Sequence, residues 1–362
     1  MSRVVTFGEI MARLAPPGFQ RLRQGLPGTL NVTFAGAEAN VAASLAFMGE
    51  QAMFVTALPE NDLAEACAAT LRSTGADSHI VWKPTGRLGL YFLETGANQR
   101  PSRVIYDRDG STISQTQADS YDWEQIFTGA DWFHVTGITP AISEAAAEAT
   151  VDAVKEAKAR GLTVSCDLNF RGKLWKWRDG MKARELAGEV MPQVVKSVDV
   201  LIANEEDCGD VLGIRAAGED VSSGILEADR YPDVARRVVS EFPNLKMVAT
   251  TLRQSLSASF NRWGAMLFDA AADQPFFSPS IDGEYQPYEI RNIVDRVGGG
   301  DSFAAGLIFA LRSNQHQGCQ AVLDYATAAS CLAHSIEGDF NFSSRAEIEA
   351  LAGGSASGRV VR

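Results

Sequence analysis

The sequence predicts an α/β fold in which a mainly parallel sheet is sandwiched by helices. From about residue 130 onward, short apolar segments of strand length alternate with segments of helical length. This alternation is typical of a parallel sheet covered on both faces. Later in the chain, an apolar run at 288–294 leads through three glycines into a small-residue helix. Because ligands in such sheets gather beyond the carboxyl ends of the strands, we expect the functional site there.

Composition narrows the classes of function. The 362 residues include 33 basic and 45 acidic side chains, for a formal net charge of −12, which argues against nucleic acid or an anionic membrane as a partner. The five cysteines are scattered without a Cys-x-x-Cys pair, so a reducing cytoplasm is the natural compartment. The sequence has no signal-peptide pattern and no run approaching the ~20 apolar residues that span a bilayer. We therefore expect a soluble cytoplasmic protein.

The individual elements follow from apolar patterns bounded by Gly, Pro and polar residues. Gly49 ends one helix, and Ser143 is a natural N-cap for another. Strands are predicted at 4–8, 11–14, 29–34, 51–57, 78–82, 88–94, 102–106, 132–135, 162–167, 198–203, 246–251, 258–263, 265–268 and 288–294. Helices are predicted at 41–48, 63–74, 143–160, 181–195, 234–241, 301–311 and 321–333. A polar surface insertion is predicted at 213–230, and a flexible Gly/Ser-rich tail at 353–362.

The stretch 295–306 carries the strongest chemical signal. Gly298, Gly299 and Gly300 allow successive N–H groups to face one side. The helix that we expect to begin near Asp301 adds its own unpaired N–H groups and the positive end of its dipole. Such a site favours a phosphate group. A carboxylate at this point is either an ordinary N-cap or a general base beside the phosphoryl group, and we favour the base.

Asp295-Arg-Val-Gly-Gly-Gly-Asp301, followed by a small-residue helix, resembles the C-terminal signature of the ribokinase-like (PfkB) carbohydrate kinases. The resemblance covers nearly the whole chain and is greatest to the branch that phosphorylates 2-keto-3-deoxygluconate. It implies a single ribokinase-like α/β domain over 1–352, with a small β-sheet lid contributed by about 11–35 and 88–115. Since the lid in this family often packs against a partner's lid, the resemblance also implies a homo-oligomer.

The resemblance places the sugar first against residues 35–42, which match the family's Gly-Gly-x-x-x-Asn-x-Ala segment. Gly36 and Ala37 would lie against the sugar, and Asn40 would reach a hydroxyl. Ala35 replaces the first Gly of the segment, a departure that the keto-deoxy-acid branch shares. Spacing alone would make Gly36 no more than a helix-entry turn.

The lid supplies the second part of the sugar site. Tyr91-x-x-x-Thr-Gly and Arg-x-x-Tyr106-Asp-Arg108 resemble the lid of 2-keto-3-deoxygluconate kinases, in which the matching tyrosines and arginine contact the sugar acid. Alternation along a strand puts Tyr106 and Arg108 on one side, and an Arg fork suits a carboxylate. Without the resemblance, the tyrosines would be half-buried sheet residues and Arg108 a solvated charge. Asn169 and Arg171, in the family's Asp-x-Asn-x-Arg pattern, complete the sugar site, with Arg171 near the transferred phosphate.

The same resemblance implies ATP and Mg²⁺ as cofactors. Asn204 and Asp207 match the family's Asn-x-x-Glu pattern, which helps to hold nucleotide and magnesium, the metal largely through water. Here Asp stands in for Glu, and ordinary helix capping is the alternative explanation. Many relatives meet the nucleotide phosphates with Lys-x-Gly, which this chain lacks, so Thr251 and Arg253 are the candidates instead. The remaining candidates are Gly298 and Gly300 for the phosphates, Thr327 beside the adenine, and Asp295 at a possible K⁺ site.

The reaction implied is transfer of the γ-phosphoryl group of ATP to the 6-hydroxyl of 2-keto-3-deoxygluconate. Asp301 would accept the hydroxyl proton, and Arg108 and Arg171 would orient the acid group. A kinase of a neutral sugar such as fructose is the alternative within the same class. A dehydrogenase is disfavoured because only Gly8 of a dinucleotide fingerprint is present, and a Walker loop is absent from the sequence.

Two remoter functions stay open at this stage. A serine hydrolase is suggested because Ser302, Asp324 and His334 follow one another in the order of a catalytic triad. Against it, Ala304 breaks the Gly-x-Ser-x-Gly motif. A sugar-acid sensor that kept the fold and lost the chemistry is the non-enzymatic alternative, and the intact glycine loop with Asp301 weighs against it.

Overall fold

A computed structural model of the chain describes residues 2–215, 228–313 and 315–355. The strands are β1 (Arg3–Phe7), β2 (Met11–Ala15), β3 (Asn31–Ala35), β4 (Ala52–Pro59), β5 (Asp77–Lys83), β6 (Gly89–Glu94), β7 (Arg103–Asp107), β8 (Ala130–Thr136), β9 (Thr163–Asp167), β10 (Val200–Asn204), β11 (Met247–Ser257), β12 (Phe260–Asp269), β13 (Gln274–Ser278), β14 (Ser280–Ile281), β15 (Glu284–Tyr285) and β16 (Tyr288–Arg291). The helices are α1 (Leu22–Gly25), α2 (Ala37–Phe47), α3 (Asp62–Ser73), α4 (Thr112–Gln115), α5 (Trp123–Ile126), α6 (Glu144–Ala159), α7 (Ala183–Val195), α8 (Asp207–Val211), α9 (Tyr231–Glu241), α10 (Gly299–Arg312), α11 (Cys319–Ala333) and α12 (Arg345–Ala352).

The large sheet confirms the predicted mainly parallel arrangement. Its strand order is β13-β12-β11-β10-β9-β8-β1-β4-β5, with β16 also paired to β12. The run from β11 to β5 is parallel throughout, and the strands paired to β12 are antiparallel. The parallel strands therefore end at a common edge, as the sequence predicts.

Helices cover both faces of this sheet because successive side chains of each strand point to opposite sides. On β1, Val5 and Phe7 belong to a core cluster that also contains α6 and α7. Val4, which precedes Val5 on the strand, belongs to a second cluster with α2, α10 and α11. The near-continuous apolar strands thus contribute side chains to two separate hydrophobic cores, one on each face of the sheet.

The predicted lid is a separate four-stranded sheet with the order β3-β2-β6-β7. It is mixed, since β2 and β6 are parallel while the two outer pairs are antiparallel. Tyr91 lies directly opposite Tyr106 and is also in register with Arg13. These three side chains consequently share the face that points toward the large sheet.

Several boundaries differ from the prediction. The segments expected at 258–263 and 265–268 form one strand, β12, because Gly264 continues the ladder at a point where a Cβ would lie 2.4 Å from the Tyr285 hydroxyl. Its partner β11 runs on to Ser257 instead of ending at 251, and β16 ends early because Asn292 adopts a φ of 62°. Helices α1, α4, α5 and α12 and strands β13, β14 and β15 were not predicted. Residues 216–227 of the expected insertion and 356–362 of the expected tail lie outside the described residues. Within the described ranges, none of the helices combines the length and apolar character needed to cross a bilayer.

Candidate active site

The carboxyl ends of β9, β10 and β11, the first turns of α2 and α10, and the inner face of the small sheet enclose a cavity of about 320 Å³. It brings together sixteen of the eighteen predicted site residues. They are Gly36, Ala37, Asn40, Tyr91, Tyr106, Arg108, Asn169, Arg171, Asn204, Asp207, Thr251, Arg253, Gly298, Gly299, Gly300 and Asp301. Thr327 and Asp295 are the two that do not line it.

The glycine loop forms the first turn of α10. The helix begins at Gly299, two residues before the predicted start, and Gly298 is its N-cap with a left-handed φ of 81°. A Cβ on Gly298 would lie 2.3 Å from the carbonyl oxygen of Asp339, so only glycine fits both the backbone angle and the space. Asp301 is therefore the third residue of the helix and not its N-cap. The N–H groups of this first turn have no partner within the helix and remain available to an anion.

Asp301 is a buried carboxylate, 9 % exposed, at the wall of the cavity. Its Oδ2 accepts a hydrogen bond of 2.6 Å from the Asn40 side-chain amide. The pKa of Asp301 is raised to about 6, chiefly by burial; the negative charge of Asp339 contributes to the rise, and the hydrogen bond from Asn40 and the charge of Arg171 oppose it. A carboxyl with this pKa is ionised at neutral pH and basic enough to accept a proton.

Asn40, predicted to reach a sugar hydroxyl, has its amide oriented by the protein. Its Oδ1 accepts a hydrogen bond from the Gly36 N–H at 3.3 Å, while its Nδ2 donates to Asp301. A Cβ on Gly36 would lie 2.0 Å from the Glu9 carbonyl oxygen, so this glycine packs directly on the chain that follows β1. Asn40 thus positions Asp301 and keeps one N–H for a ligand.

On the small sheet, Tyr106 and Arg108 lie on one side, as predicted. The Arg108 guanidinium is 5.6 Å from the centre of the Tyr106 ring, and its side chain is 5 % exposed. It also forms an ion pair with Glu9, whose Oε1 is buried without a partner among the described residues. Arg108 is therefore not the solvated charge that would be expected of it without the resemblance. The Tyr91 hydroxyl donates to Asp339 at 2.7 Å, so this tyrosine meets the cavity with its ring and not with a free hydroxyl.

Opposite the small sheet, the loop after β9 is fastened to the loop after β10. Asp207 Oδ1 accepts from the Phe170 N–H at 3.1 Å, and Asp167 Oδ1 accepts from the Asn169 N–H at 3.1 Å. Burial, followed by the charges of Asp207 and Asp301, raises the pKa of Asp167 well above its ordinary value, while Arg171 opposes that shift. Arg171 is thus the cation beside three carboxylates at this edge of the sheet.

Asn204 and Asp207 accept hydrogen bonds from backbone N–H groups at the turn before α8, whose N-cap is Glu206 without a side-chain cap hydrogen bond. Asn204 Oδ1 accepts from the N–H groups of Glu206 and Asp207, and Asp207 Oδ2 accepts from the Asn204 N–H at 2.9 Å. Each of these oxygens already has a backbone donor. Glu205, which the sequence reasoning passed over, is different: its Oε2 is buried without a partner among the described residues, and it lines the same cavity. The chemistry of this side chain fits a magnesium-bound water.

On β11, Thr251 and Arg253 share a face and both line the cavity. The Arg253 guanidinium is 3.5 Å from Glu205 and its side chain is 45 % exposed. Thr327 does not join them: it is fully buried in α11, and its hydroxyl donates to the Leu323 carbonyl within the same helix. The prediction that Thr327 contacts the adenine is wrong, because the α11 face it occupies packs into the core.

Asp295 is also placed differently from the prediction. Its Oδ2 accepts from the Arg13 guanidinium, and its Oδ1 accepts from the N–H groups of Arg296 and Val297. With both oxygens engaged and a guanidinium alongside, this carboxylate is not available as a ligand for a monovalent cation. The carboxylate that the sequence analysis assigned to K⁺ is paired with an arginine of the small sheet.

Several cavity residues carried no role in the sequence reasoning. Arg296 donates to the carbonyls of Ser257 and Ala258, which ties the glycine loop to the β11–β12 hairpin. Asn261 and Trp263 face the cavity from alternate positions of β12, and this spacing lies within the predicted strand 258–263. Others are Asp339, which follows α11, and His334, whose Cε1 would be 3.1 Å from a Cβ on Gly299.

The serine-hydrolase alternative is wrong, because the three residues do not form a triad. The Ser302 hydroxyl donates to the Gly298 carbonyl, and Asp324 accepts from Gln320. His334 Nδ1 is paired with the Ser330 carbonyl at 2.9 Å, and burial lowers the pKa of this imidazole to about 4. No proton relay joins the serine to the histidine.

Comparison with known proteins agrees with this geometry. Residues 1–228 match the pfkB family of carbohydrate kinases. The chain is similar to the crystal structure of 2-dehydro-3-deoxygluconokinase from Thermotoga maritima, with 46 % identity, a TM-score of 0.87, and coverage of 98 % of this chain and 100 % of that one.

Two curated proteins show the same likeness in sequence. The 2-dehydro-3-deoxygalactonokinase of Haloferax volcanii is 31 % identical over 356 residues, covering 98 % of each chain. The 2-dehydro-3-deoxygluconokinase of Bacillus subtilis is 28 % identical over 311 residues, covering 84 % of this chain and 81 % of that protein. Both acceptor names denote 2-keto-3-deoxy sugar acids.

Proposed function

Because the chain belongs to the pfkB family of carbohydrate kinases, we propose that it phosphorylates a 2-keto-3-deoxy sugar acid with ATP, 2-keto-3-deoxygluconate first among the candidates. The observation that carries the proposal is the meeting, in one cavity, of a helix N-terminus suited to phosphate, a buried carboxylate with a raised pKa, and the guanidinium groups of Arg108 and Arg171. The product would be 2-keto-3-deoxy-6-phosphogluconate, with ADP.

Asp301 is the proposed base. It accepts the proton of the primary hydroxyl while the oxygen attacks the γ-phosphorus, and the bond from that phosphorus to the bridging oxygen of ADP breaks. The N–H groups of Gly299 and Gly300, at the start of α10, face the charge on the transferred group. Asn40 holds the Asp301 carboxylate in place for this step. Phosphoryl transfer depends mainly on such positioning and charge stabilisation.

ATP and Mg²⁺ are the proposed cofactors. Thr251 and Arg253 would meet the nucleotide phosphates, Arg253 by its charge and Thr251 by its hydroxyl. Asn204, Asp207 and Glu205 would hold magnesium, largely through its water shell. The metal, when bound, neutralises charge on the phosphate oxygens. The unpartnered Oε2 of Glu205 supports its place in this set.

Arg108 and Arg171 are proposed to bind the carboxylate of the sugar acid, because a guanidinium pairs with a carboxylate through two parallel hydrogen bonds. A neutral sugar has no carboxylate with which to form such a charge-assisted pair with either guanidinium. The sugar acid is therefore favoured over fructose as the acceptor.

One assay tests the proposal. Purified protein, Mg²⁺ and ATP are supplied with 2-keto-3-deoxygluconate, its 2-keto-3-deoxygalactonate epimer, fructose or ribose, and ADP release is followed. We expect kcat/KM for a keto-deoxy acid to exceed that for either neutral sugar by at least ~10-fold, because one charge-assisted hydrogen bond contributes about 1.5–3 kcal/mol. Equal turnover of fructose would overturn the assignment.

One variant and its matched control test the proposed role of Arg171 in binding the carboxylate. Arg171→Gln should lower kcat/KM for the sugar acid by about 10- to 100-fold, since a charge-assisted hydrogen bond contributes about 1.5–3 kcal/mol. Arg184→Gln, at an exposed arginine paired with Asp210 outside the cavity, is the control and should behave as the parent. Unchanged kinetics in Arg171→Gln would remove this residue from the site.

We also propose a homo-oligomer formed through the outer face of the small sheet. The strand registers align Val32, Leu14, Phe92 and Ile105 in one row across all four strands, and Val32 and Ile105 are 53 % and 50 % exposed. An apolar row of this kind favours association with a second copy. Light scattering should report a dimer or larger species for the parent and a smaller one for Val32→Glu combined with Ile105→Glu. Leu256→Glu, at an exposed site on β11, is the control.

A further inference from the structure

We propose that Arg13 is a positioning residue for phosphoryl transfer: from the small sheet, its guanidinium holds two buried carboxylates that fix the glycine loop in place. The inference rests on the proposed function for its kinetic consequences, although its structural part can be tested without any substrate. Arg13 does not line the cavity, and no motif of the sequence points to it.

The contacts of Arg13 span two parts of the fold. It lies on β2, and its side chain is 5 % exposed. One guanidinium nitrogen is 2.7 Å from Asp339 Oδ1, and the other pairs with Asp295 Oδ2. Tyr91, in register with Arg13 on the neighbouring strand β6, donates to Asp339 as well. Two residues of the small sheet thus bind the carboxylate of Asp339, which lies in the loop after α11.

Each carboxylate in turn holds one side of the glycine loop. Asp295 accepts from the N–H groups of Arg296 at 2.8 Å and Val297 at 3.2 Å, the residues that lead into Gly298. Asp339 packs its backbone carbonyl against Gly298, at the point where a Cβ would be 2.3 Å away. A shift of either carboxylate would therefore move the N–H groups that face the transferred phosphoryl group.

The charge of Arg13 is needed where it stands. Asp295 and Asp339 are 4 % and 7 % exposed, and two buried anions without a counterion repel each other and resist burial. The negative charge of Asp339 also reaches Asp301, whose pKa it raises. Besides burial, Asn40 and Arg171 lower the pKa of Asp301 and Asp339 raises it. The charge of Asp301 in turn raises the pKa of the nearby carboxyls of Glu38 and Asp167. Removing the guanidinium would leave Asp339 free to act on the base in full.

Arg13→Met tests the inference, because methionine keeps an unbranched apolar stem without the charge. Amide hydrogen exchange read by mass spectrometry should show faster exchange in the peptide covering 295–300. With the sugar acid that the parent phosphorylates, kcat should fall by about 100-fold, the loss typical of a misplacement of about 1 Å. KM should change by less than about threefold. The fall of kcat/KM on the low-pH side of its pH profile, the acid limb, should move to higher pH. Millimolar guanidinium ion should restore part of the turnover.

Two further variants keep the outcome decisive. Arg13→Lys retains the charge but not the fork, so we expect an intermediate kcat with the acid limb at the parent's position. Arg87→Met removes an exposed ion pair with Asp107 at the edge of the same sheet and should match the parent in every assay.

Parental exchange at 295–300 in Arg13→Met, or a kcat within threefold of the parent, would overturn the inference. A third result would also overturn it: activity is lost, guanidinium ion does not restore it, and the acid limb shifts equally in the Met and Lys variants. If Arg13→Met does not fold, parental kcat and exchange in Arg13→Lys would overturn the role of the fork. A parent that phosphorylates none of the sugars would refute the proposed function, and the exchange measurement would still decide the role of Arg13.

Discussion

Replacing Asp301 by asparagine should remove activity and add stability at the same time. The variant keeps the shape of the side chain and its contact with Asn40, but it cannot accept the hydroxyl proton. Loss of a general base typically costs ~10²–10⁴ in rate. Since positioning by the glycine loop is unaffected, we expect kcat to fall within that range while KM for ATP stays near the parental value.

The gain in stability follows from the raised pKa. Burial takes the pKa of Asp301 from its ordinary 3.8 to about 6, a rise of about two pH units. At 1.36 kcal/mol per unit, keeping this carboxylate ionised in the folded state costs about 3 kcal/mol. The cost is complete above about pH 6, shrinks as the pH falls toward 3.8, and disappears below that value. The neutral amide of the Asp301→Asn variant carries no such cost, so the variant should be more stable by about 3 kcal/mol at pH 7.5.

Urea unfolding at pH 7.5 and at pH 4 measures this difference directly, and a coupled ADP assay measures the activity. Near the unfolding midpoint, 3 kcal/mol corresponds to an increase in Tm of about 4 °C for a chain of this size. Asp119→Asn, at an exposed carboxylate, is the control and should change neither property. Turnover within tenfold of the parent, or equal stability of the two proteins at pH 7.5, would refute the assignment of Asp301 as a buried base.

Three further outcomes are expected. The kcat/KM of the parent should fall tenfold per pH unit below about pH 6 as Asp301 is protonated. Asn40→Leu should move this fall to higher pH, because the hydrogen bond from Asn40 lowers the pKa of Asp301. An unchanged pH profile in Asn40→Leu would contradict the role of that hydrogen bond. Replacing K⁺ by choline should leave the parental kcat unchanged, because Arg13 already neutralises Asp295, and a large loss would show a cation site elsewhere. Thr327→Val should leave KM for ATP within twofold, whereas a large increase would return this residue to the nucleotide site.

The sequence predicts best what depends on local pattern. The parallel core follows from apolar segments that alternate with helices, and the glycine turn at the start of α10 follows from three glycines before Asp301. Thr327 shows the limit of the resemblance: correspondence of position says nothing about which face of a helix a residue occupies.

Two other features could not be predicted from the sequence, and each has a physical reason. The outer half of the β11–β12 hairpin is rich in polar residues such as Arg253 and Gln254, and it lacks the apolar alternation that indicates a strand. Arg13 and Asp339 are separated by 326 positions, so their pairing exists only in the folded chain and leaves no local signal.

Helix α10 is buried along nearly its whole length, and Gly306 packs so closely on Ala326 of α11 that a Cβ would be 3.0 Å from its backbone. Asp301, the proposed base, thus lies in a closely packed and buried helix, whereas Tyr106 and Arg108 belong to the small sheet. We therefore expect that exchanges of residues in that sheet can change which sugar is accepted while the residues proposed for phosphoryl transfer stay the same. Position 13 is the exception, since it connects the two.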